Sequence, residues 1–536
     1  MPPEEPLQKG RDLLERVRRA AEGPNHKWWA FSAVSIGVFM STLDISIVNI
    51  SLPQIMGDLN TSLDAVQWVI LAYLLTISAL LLTFGRLADL MGRKRVYIAG
   101  FAVFTVGNLL AGLSHSVIEL TLARALTGVG GAMIQANGAA ITAAVFPPEE
   151  RGKALGLNGT IVASGLVTGP TVGGLLTDAL GWRSVFYVAI PVGLLAIPFA
   201  SLVLQEARIS VPRGVRREPF DWLGALLWAG FLFSFLFALN RGPDMGWGSL
   251  AIMALFVASA LLLVLFVAVE LRNAAPTIRL SLFRIWGFSA GCTASFSTFV
   301  GQQASTFLMP FYLQVALALS ARTAGVLMTS VPFTMALIAP LSGRLSDRYG
   351  SRGLATAGLA ISMLGLFALS RITTADQGYA PIIGTLMLLG LGIGMFQSPN
   401  NSFIFGSVPR EQYGVASGFI ATMRTTGSSL GITLWGTIVT SRLAAHGFTG
   451  SLQAAVANPA LRGEVMPVFL DGMHLAVYGA MAVVLVGILA QSGGFFVHML
   501  VGRPGAPSLG TIITSVGAVL LAAAVLVLVY GLITAR

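Results

Sequence analysis

The chain holds a single cysteine, Cys292, in 536 residues. One thiol excludes an intrachain disulfide framework and a thiol metal site, and its place inside an apolar run reads as packing. Charge is scarce too, at 10% of residues, although the net charge is +10. There is no GxxxxGK[ST] phosphate loop and no HExxH pair, and GLGIGM at 390 to 395 is a glycine run within an apolar stretch, not a strand-to-helix dinucleotide turn. Nothing points to an enzyme, a metal or a cofactor. Residues 1 to 29 mix Glu4, Glu5, Asp12 and Glu15 with Arg11, Arg16, Arg18 and Arg19. That lacks the basic start and apolar core of a cleaved signal peptide, so the first apolar run is expected to insert uncleaved.

What is present is apolar length. Hydrophobic residues make up 55% of the chain, and a membrane-crossing helix needs about 20 of them in a row. Fourteen such runs lie near 30 to 52, 66 to 84, 96 to 113, 118 to 145, 154 to 177, 184 to 205, 221 to 239, 248 to 269, 287 to 314, 323 to 342, 354 to 370, 379 to 405, 413 to 440 and 473 to 491. A fifteenth run covers 509 to 533. It is either a further crossing or a helix lying against the bundle; a third alternative is that 441 to 470 is not a simple loop. The fold class is therefore all-α and polytopic.

The connections alternate in charge. Those at 85 to 96, 146 to 153, 206 to 220, 270 to 286, 343 to 353 and 405 to 413 carry 17 Lys or Arg together, and those on the opposite side carry 6. The positive-inside rule places the first set, with the amino terminus, in the cytoplasm. The excess basicity is thus a topology signal directed at anionic lipid, and nucleic acid is not an expected partner.

One of these connections recurs. GRLADLMGRK at 85 to 94 is matched by GRLSDRYGSR at 343 to 352, and PPEERGKALG at 147 to 156 by PREQYGVASG at 409 to 418. Two six-helix halves explain the repeat if two helices sit between them. The expected division is a cytoplasmic segment at 1 to 29, a six-helix bundle at 30 to 205, a linker with two inserted helices at 206 to 286, a second bundle at 287 to 491 and an extension at 492 to 536.

Together with LDISIVNISLP (43 to 53), LARALTGVGGA (122 to 132) and GLVTGPTVGG (165 to 174), these features resemble the major facilitator superfamily. Within it they resemble the fourteen-span drug:proton antiporters of the EmrB/QacA type. The resemblance implies a proton-driven exporter of lipophilic cationic or neutral compounds in a bacterial cytoplasmic membrane, working by rocking of two halves, with the proton gradient as energy source. Protons, small lipophilic substrates and membrane lipids are its implied partners, with a periplasmic adaptor added in a double-membrane bacterium. Export of one endogenous lipid or metabolite on the same fold is the alternative; a non-transporting sensor or scaffold is the reading from another class.

Asp44 is the only Asp or Glu well inside an expected span, since Glu119 and Asp221 fall at helix ends. An intramembrane carboxylate is costly and points to proton carriage; a permanently satisfied structural carboxylate is the plainer alternative. Counting along the helices puts Asp44 and Arg124 each about 9 Å from the outer membrane edge. Arg124 is therefore expected to pair with it, and in the family that arginine is linked to proton transfer. Arg424 is the other deep charge, without an intramembrane acid left over; an anionic substrate group, a lipid phosphate and backbone carbonyls are all open to it. Asn49, Gln302, Gln303, Gln397, Asn400 and Asn401 are candidates to line a substrate cavity, or simply to bond between helices.

Gly165, Gly169, Pro170, Gly173 and Gly174 let helix backbones approach closely, and the resemblance marks this motif as one of antiporting exporters. The second half keeps Gly427 and Gly431 but has Ile432 where the proline would fall. For Gly85, Arg86, Asp89, Gly92, Arg93, Lys94 and Arg95, with Gly343 and Asp347 in the copy, the resemblance implies a latch across the cytoplasmic face that favours the outward-open state. Topology marking alone would explain the basic residues but not Asp89 or the glycines.

Overall fold

The computed structural model describes residues 23, 25–209, 221–273, 280–372, 378–409, 413–448 and 459–501. The apolar run at 509 to 533 and the mixed-charge segment before residue 23 lie outside the described residues. Among the described residues every regular element is helical. The first six long helices are α1 (His26–Asp58), α2 (Leu63–Met91), α3 (Arg93–Leu113), α4 (Val117–Val145), α5 (Pro148–Leu180) and α6 (Ala189–Val203). The inserted pair is α7 (Trp222–Met245) and α8 (Leu250–Arg272). Then come α9 (Trp286–Phe311), α10 (Ser330–Tyr349, after a short helix Ala321–Met328), α11 (Ser351–Leu369), α12 (Tyr379–Ser407), α13 (Tyr413–Ala445) and α14 (Pro459–Val501).

Eleven helical stretches among the described residues are long and apolar enough to cross a membrane. Helices α5, α9 and α13 fall outside that set although they span 33, 26 and 33 residues. They are rich in Gly, Ser and Thr, and α9 is buried along nearly its whole length. A helix enclosed by other helices needs no lipid-facing stripe, and small residues suit its close contacts. The opposite case is α8, whose Leu250, Val257, Leu261 and Val264 are exposed along one face. A continuous apolar face of that kind belongs in hydrocarbon, and the chain is an integral, multi-pass membrane protein.

The packing partners repeat. In the first six helices α1 packs on α5, α2 on α4, and α3 on both α4 and α6; in the last six, α9 packs on α13, α10 on α12, and α11 on both α12 and α14. The duplicated loop motif is structural as well, because Gly92 (φ 106°) ends α2 and Gly350 (φ 89°) ends α10. A positive φ strains any side chain with a Cβ, which is why glycine recurs there. Helix α14 begins at Pro459, so part of the segment between the last two apolar runs is helix. Glu270 falls within α8 and is buried, beyond the end expected for that run.

The inserted pair sits on the seam between the halves. Helix α7 touches α2 of the first half and α13 of the second. Asn240 on α7 accepts from the Trp68 indole at 2.5 Å and donates to Gln67 Oε1 at 3.4 Å. Thr437 of α13 donates to Leu239 O at 3.3 Å. Asn240→Ala leaves the half-buried Trp68 N–H without its acceptor, with an expected loss of about 1 kcal/mol. Thermal unfolding in detergent measures it; an unchanged unfolding temperature would refute the bridge.

Candidate functional site

The site grows from two polar residues on apolar helices. Asp44 lies on α1 and is 4% exposed; Arg124 on α4 is fully enclosed. Arg124 Nη1 donates to Asp44 Oδ2 at 2.7 Å, and its Nε donates to Val69 O at 3.1 Å. The guanidinium lies over the Tyr73 ring at 4.3 Å. Such a pair stands in low dielectric, where its charges interact strongly and loss of one leaves the other uncompensated. Asn108 of α3 faces the carboxylate, and its amide donates to Phe104 O at 3.1 Å.

A polar path leads from this pair to the second half. The Tyr73 hydroxyl donates to Ser41 O at 3.3 Å and faces Gln135 of α4. Gln135 Oε1 accepts from Arg424 Nη2 of α13 at 3.3 Å. Tyr73, Gln135 and Asn108 were not singled out above, because neutral polar residues in apolar helices look alike until the helices are assembled.

The expected cavity residues divide. Gln302, Gln397, Asn401 and Arg424 keep accessible surface although they lie within the bundle. Asn49, Gln303 and Asn400 are enclosed, in keeping with the second reading open to them, bonding between helices. Asn400 donates to Gly291 O at 3.1 Å and Ser295 Oγ at 2.8 Å, and accepts from Gln491 at 3.1 Å, so it joins α9, α12 and α14. Asn49 bonds back to Ile45 O at 3.0 Å. Gln303 lies where Gly431 of α13 meets α9.

The glycine motif of α5 has two faces. Gly165, Gly169 and Gly173 rest on Thr42, Ser46 and Ile50 of α1, flanking the helix that carries Asp44, and Ser46 Oγ donates to Gly165 O at 3.2 Å. Gly427 and Gly431 set α13 on α9 in the same way. Gly174 and Pro170 face the other half instead: Gly174 lies against the Ala321 carbonyl, and Gly325 lies against the Pro170 carbonyl. Nearby, Thr171 and Thr329 hydroxyls are 2.6 Å apart and Gln314 donates to Ile50 O at 2.7 Å. These contacts close the halves upon one another at the end of the bundle where Asn60 lies, opposite to Gly92.

The loop cluster binds its own half. Asp89 pairs with Arg93 at 2.9 Å, and Arg93 also donates to Ala140 O and Ile209 O, each at 3.2 Å. Glu206 accepts from the Lys94 backbone N–H at 3.2 Å, placing a carboxylate at the positive start of α3. Lys94 Nζ reaches Ser201 O at 2.7 Å. In the copy, Arg352 donates to Gln491 O and Ser492 O, each at 2.9 Å, so both loops grip the last helical segment of their half. Gly85 faces Ala136 and Gly343 faces Ser398, while Arg95 is exposed. The side chains of Arg86 and Asp347 lie outside the described residues.

Residues 34–432 match the family described as Major Facilitator Superfamily. The chain is 35% identical over 405 residues to the riboflavin transporter RibZ of Clostridioides difficile (strain 630), covering 76% of this chain and 86% of that one. It is 32% identical over 443 residues to multidrug resistance protein Stp of Mycobacterium tuberculosis (strain CDC 1551 / Oshkosh), covering 82% and 81%. A bacterial homologue of the human lysosomal transporter Spinster, solved inward-facing and unoccupied, shares the fold with a TM-score of 0.61 at 16% identity, over 88% of this chain and 98% of that one.

Proposed function

The chain belongs to the major facilitator superfamily, a class of non-enzymatic transporters, and we propose that within it the protein is a proton-driven exporter of lipophilic compounds of the fourteen-span drug:proton antiporter type. The observation that carries this reading is the enclosed pair of Asp44 and Arg124, 2.7 Å apart. A proton on Asp44 removes the charge that holds Arg124, which keeps its bonds to Val69 O and the Tyr73 face. Release of the proton restores the pair. Each proton moved inward across 100 mV supplies roughly 2.3 kcal/mol, so cycling of this pair can drive export without ATP.

The positive-inside rule supports a cytoplasmic Gly92 end, and on that reading the end closed by Gly174, Gly325 and their carbonyl partners is the outer one. Helix α1 lies on the Gly165, Gly169 and Gly173 stripe beside Asp44, so a change at the pair is transmitted to the helix that forms half of the seal. The relatives named for riboflavin transport and multidrug resistance support a small organic cargo. The test is proton movement stimulated by substrate in proteoliposomes, surveyed with dyes, drugs and lipids. Absence of gradient-dependent flux across that panel would leave a sensor or scaffold as the better reading.

A further inference from the structure

Arg424 is a cation in the interior of a membrane protein, and among the described residues its side-chain partner is a neutral amide oxygen at 3.3 Å. Among the described residues the ion pairs include Lys27 with Glu150, Arg93 with Asp89, Arg124 with Asp44 and Arg442 with Asp471; Arg424 is in none of these. Tyr73 is the ionisable group that faces it. Arg424 keeps accessible surface, as do Ile420 and Ala421 on the same face of α13. From Thr425 to Val439, by contrast, α13 is buried except at Ile438. The accessible face therefore ends at Arg424.

Isolated charge in such a setting is costly, and its counter-charge is part of its function. Asp44, the acid nearest in the network, is already bonded to Arg124. A guanidinium presents planar paired donors that match carboxylate and phenolate oxygens. No described carboxylate is left in this region to receive a cation, which argues against the cationic cargo expected from the family resemblance.

We infer that Arg424 is the recognition residue for the cargo, and that the cargo class is lipophilic organic acids whose carboxylate or phenolate binds this guanidinium in place of Gln135. The inference rests on the export reading, narrowing its substrate. Displacement of Gln135 frees the amide that faces the Tyr73 hydroxyl, and Tyr73 carries Arg124 on its ring. Cargo arrival is thus felt at the Asp44 and Arg124 pair through two neutral side chains.

Two xanthene dyes of opposite charge test it: fluorescein, an anion with carboxylate and phenolate groups, and rhodamine 6G, a cation. Binding is read by fluorescence polarisation to the full chain in phosphatidylcholine nanodiscs, without any gradient. Wild type is expected to bind fluorescein more tightly than rhodamine 6G. In Arg424→Gln fluorescein affinity should fall roughly tenfold or more, the value of a charge-assisted bond, while Arg424→Lys retains part of it. Size-exclusion profiles matching wild type establish that the variants are folded. Tighter binding of rhodamine 6G, no fluorescein binding, or equal fluorescein affinity in wild type and Arg424→Gln would each overturn the inference. So would full displacement of fluorescein by phosphatidylglycerol in the discs, which would assign the guanidinium to a lipid phosphate. Because binding is measured without a gradient, loss of proton-driven flux with fluorescein binding intact defeats the export reading alone.

Discussion

Arg124→Met is expected to destabilise the folded protein by roughly 3–5 kcal/mol, the range for removing one member of a buried ion pair, and to abolish proton-coupled flux. The reasoning starts from enclosure. Arg124 has no exposed surface and bonds both Asp44 and Val69 O while stacking on Tyr73. Methionine fills similar volume, so packing loss is small, but Asp44 is left in low dielectric without its cation. The double variant Asp44→Asn with Arg124→Met removes both charges, and buried pairs replaced by neutral side chains cost little or even stabilise. Thermal unfolding in detergent should show the single variant well below wild type and the double variant recovered, with proton-coupled flux absent from both. Equal unfolding temperatures for the single and double variants would show that the pair does not act as a unit.

Gly174→Val and Gly325→Val should each abolish transport by holding the sealed end apart. Each glycine lies against a main-chain carbonyl of the opposite half, Ala321 for Gly174 and Pro170 for Gly325. A side chain in either place meets backbone, which cannot turn aside, and two packed helices respond by separating. Gly384→Val is the control, since nothing lies within 4 Å of the Cβ it would gain. Spin-label distances across the seal should lengthen in the first two variants and match wild type in the third. Unchanged distances in Gly174→Val would refute the seal.

Position along a helix was legible in the sequence, and direction around it was not. Counting residues from the helix ends gave Asp44 and Arg124 a common depth, and they meet at 2.7 Å. Asn49, Gln303 and Asn400 could by sequence line a cavity or bond between helices, and they turn into helix contacts, because the angle about the axis depends on packing that no single helix encodes. Tyr73 and Gln135 escaped notice for a related reason: a neutral polar side chain in an apolar run has no signature until its partner across the bundle is known. The repeat was legible through glycine, since Gly92 and Gly350 hold backbone angles that few other residues accept. Helices α5, α9 and α13 also stood out as runs, although their Gly, Ser and Thr content lowers their apolar excess. Charges at depth, glycines at turns and apolar length are the signals that survive without an assembled structure.

The central claim is that the Asp44 and Arg124 pair couples protons to cargo. Its most direct test is a pH jump on proteoliposomes holding a proton-sensing dye, with wild type and Asp44→Asn compared while cargo movement is followed at the same time. Wild type should move protons against cargo; Asp44→Asn should pass cargo down its own gradient without proton countermovement. Proton countermovement of wild-type size in Asp44→Asn would contradict the account.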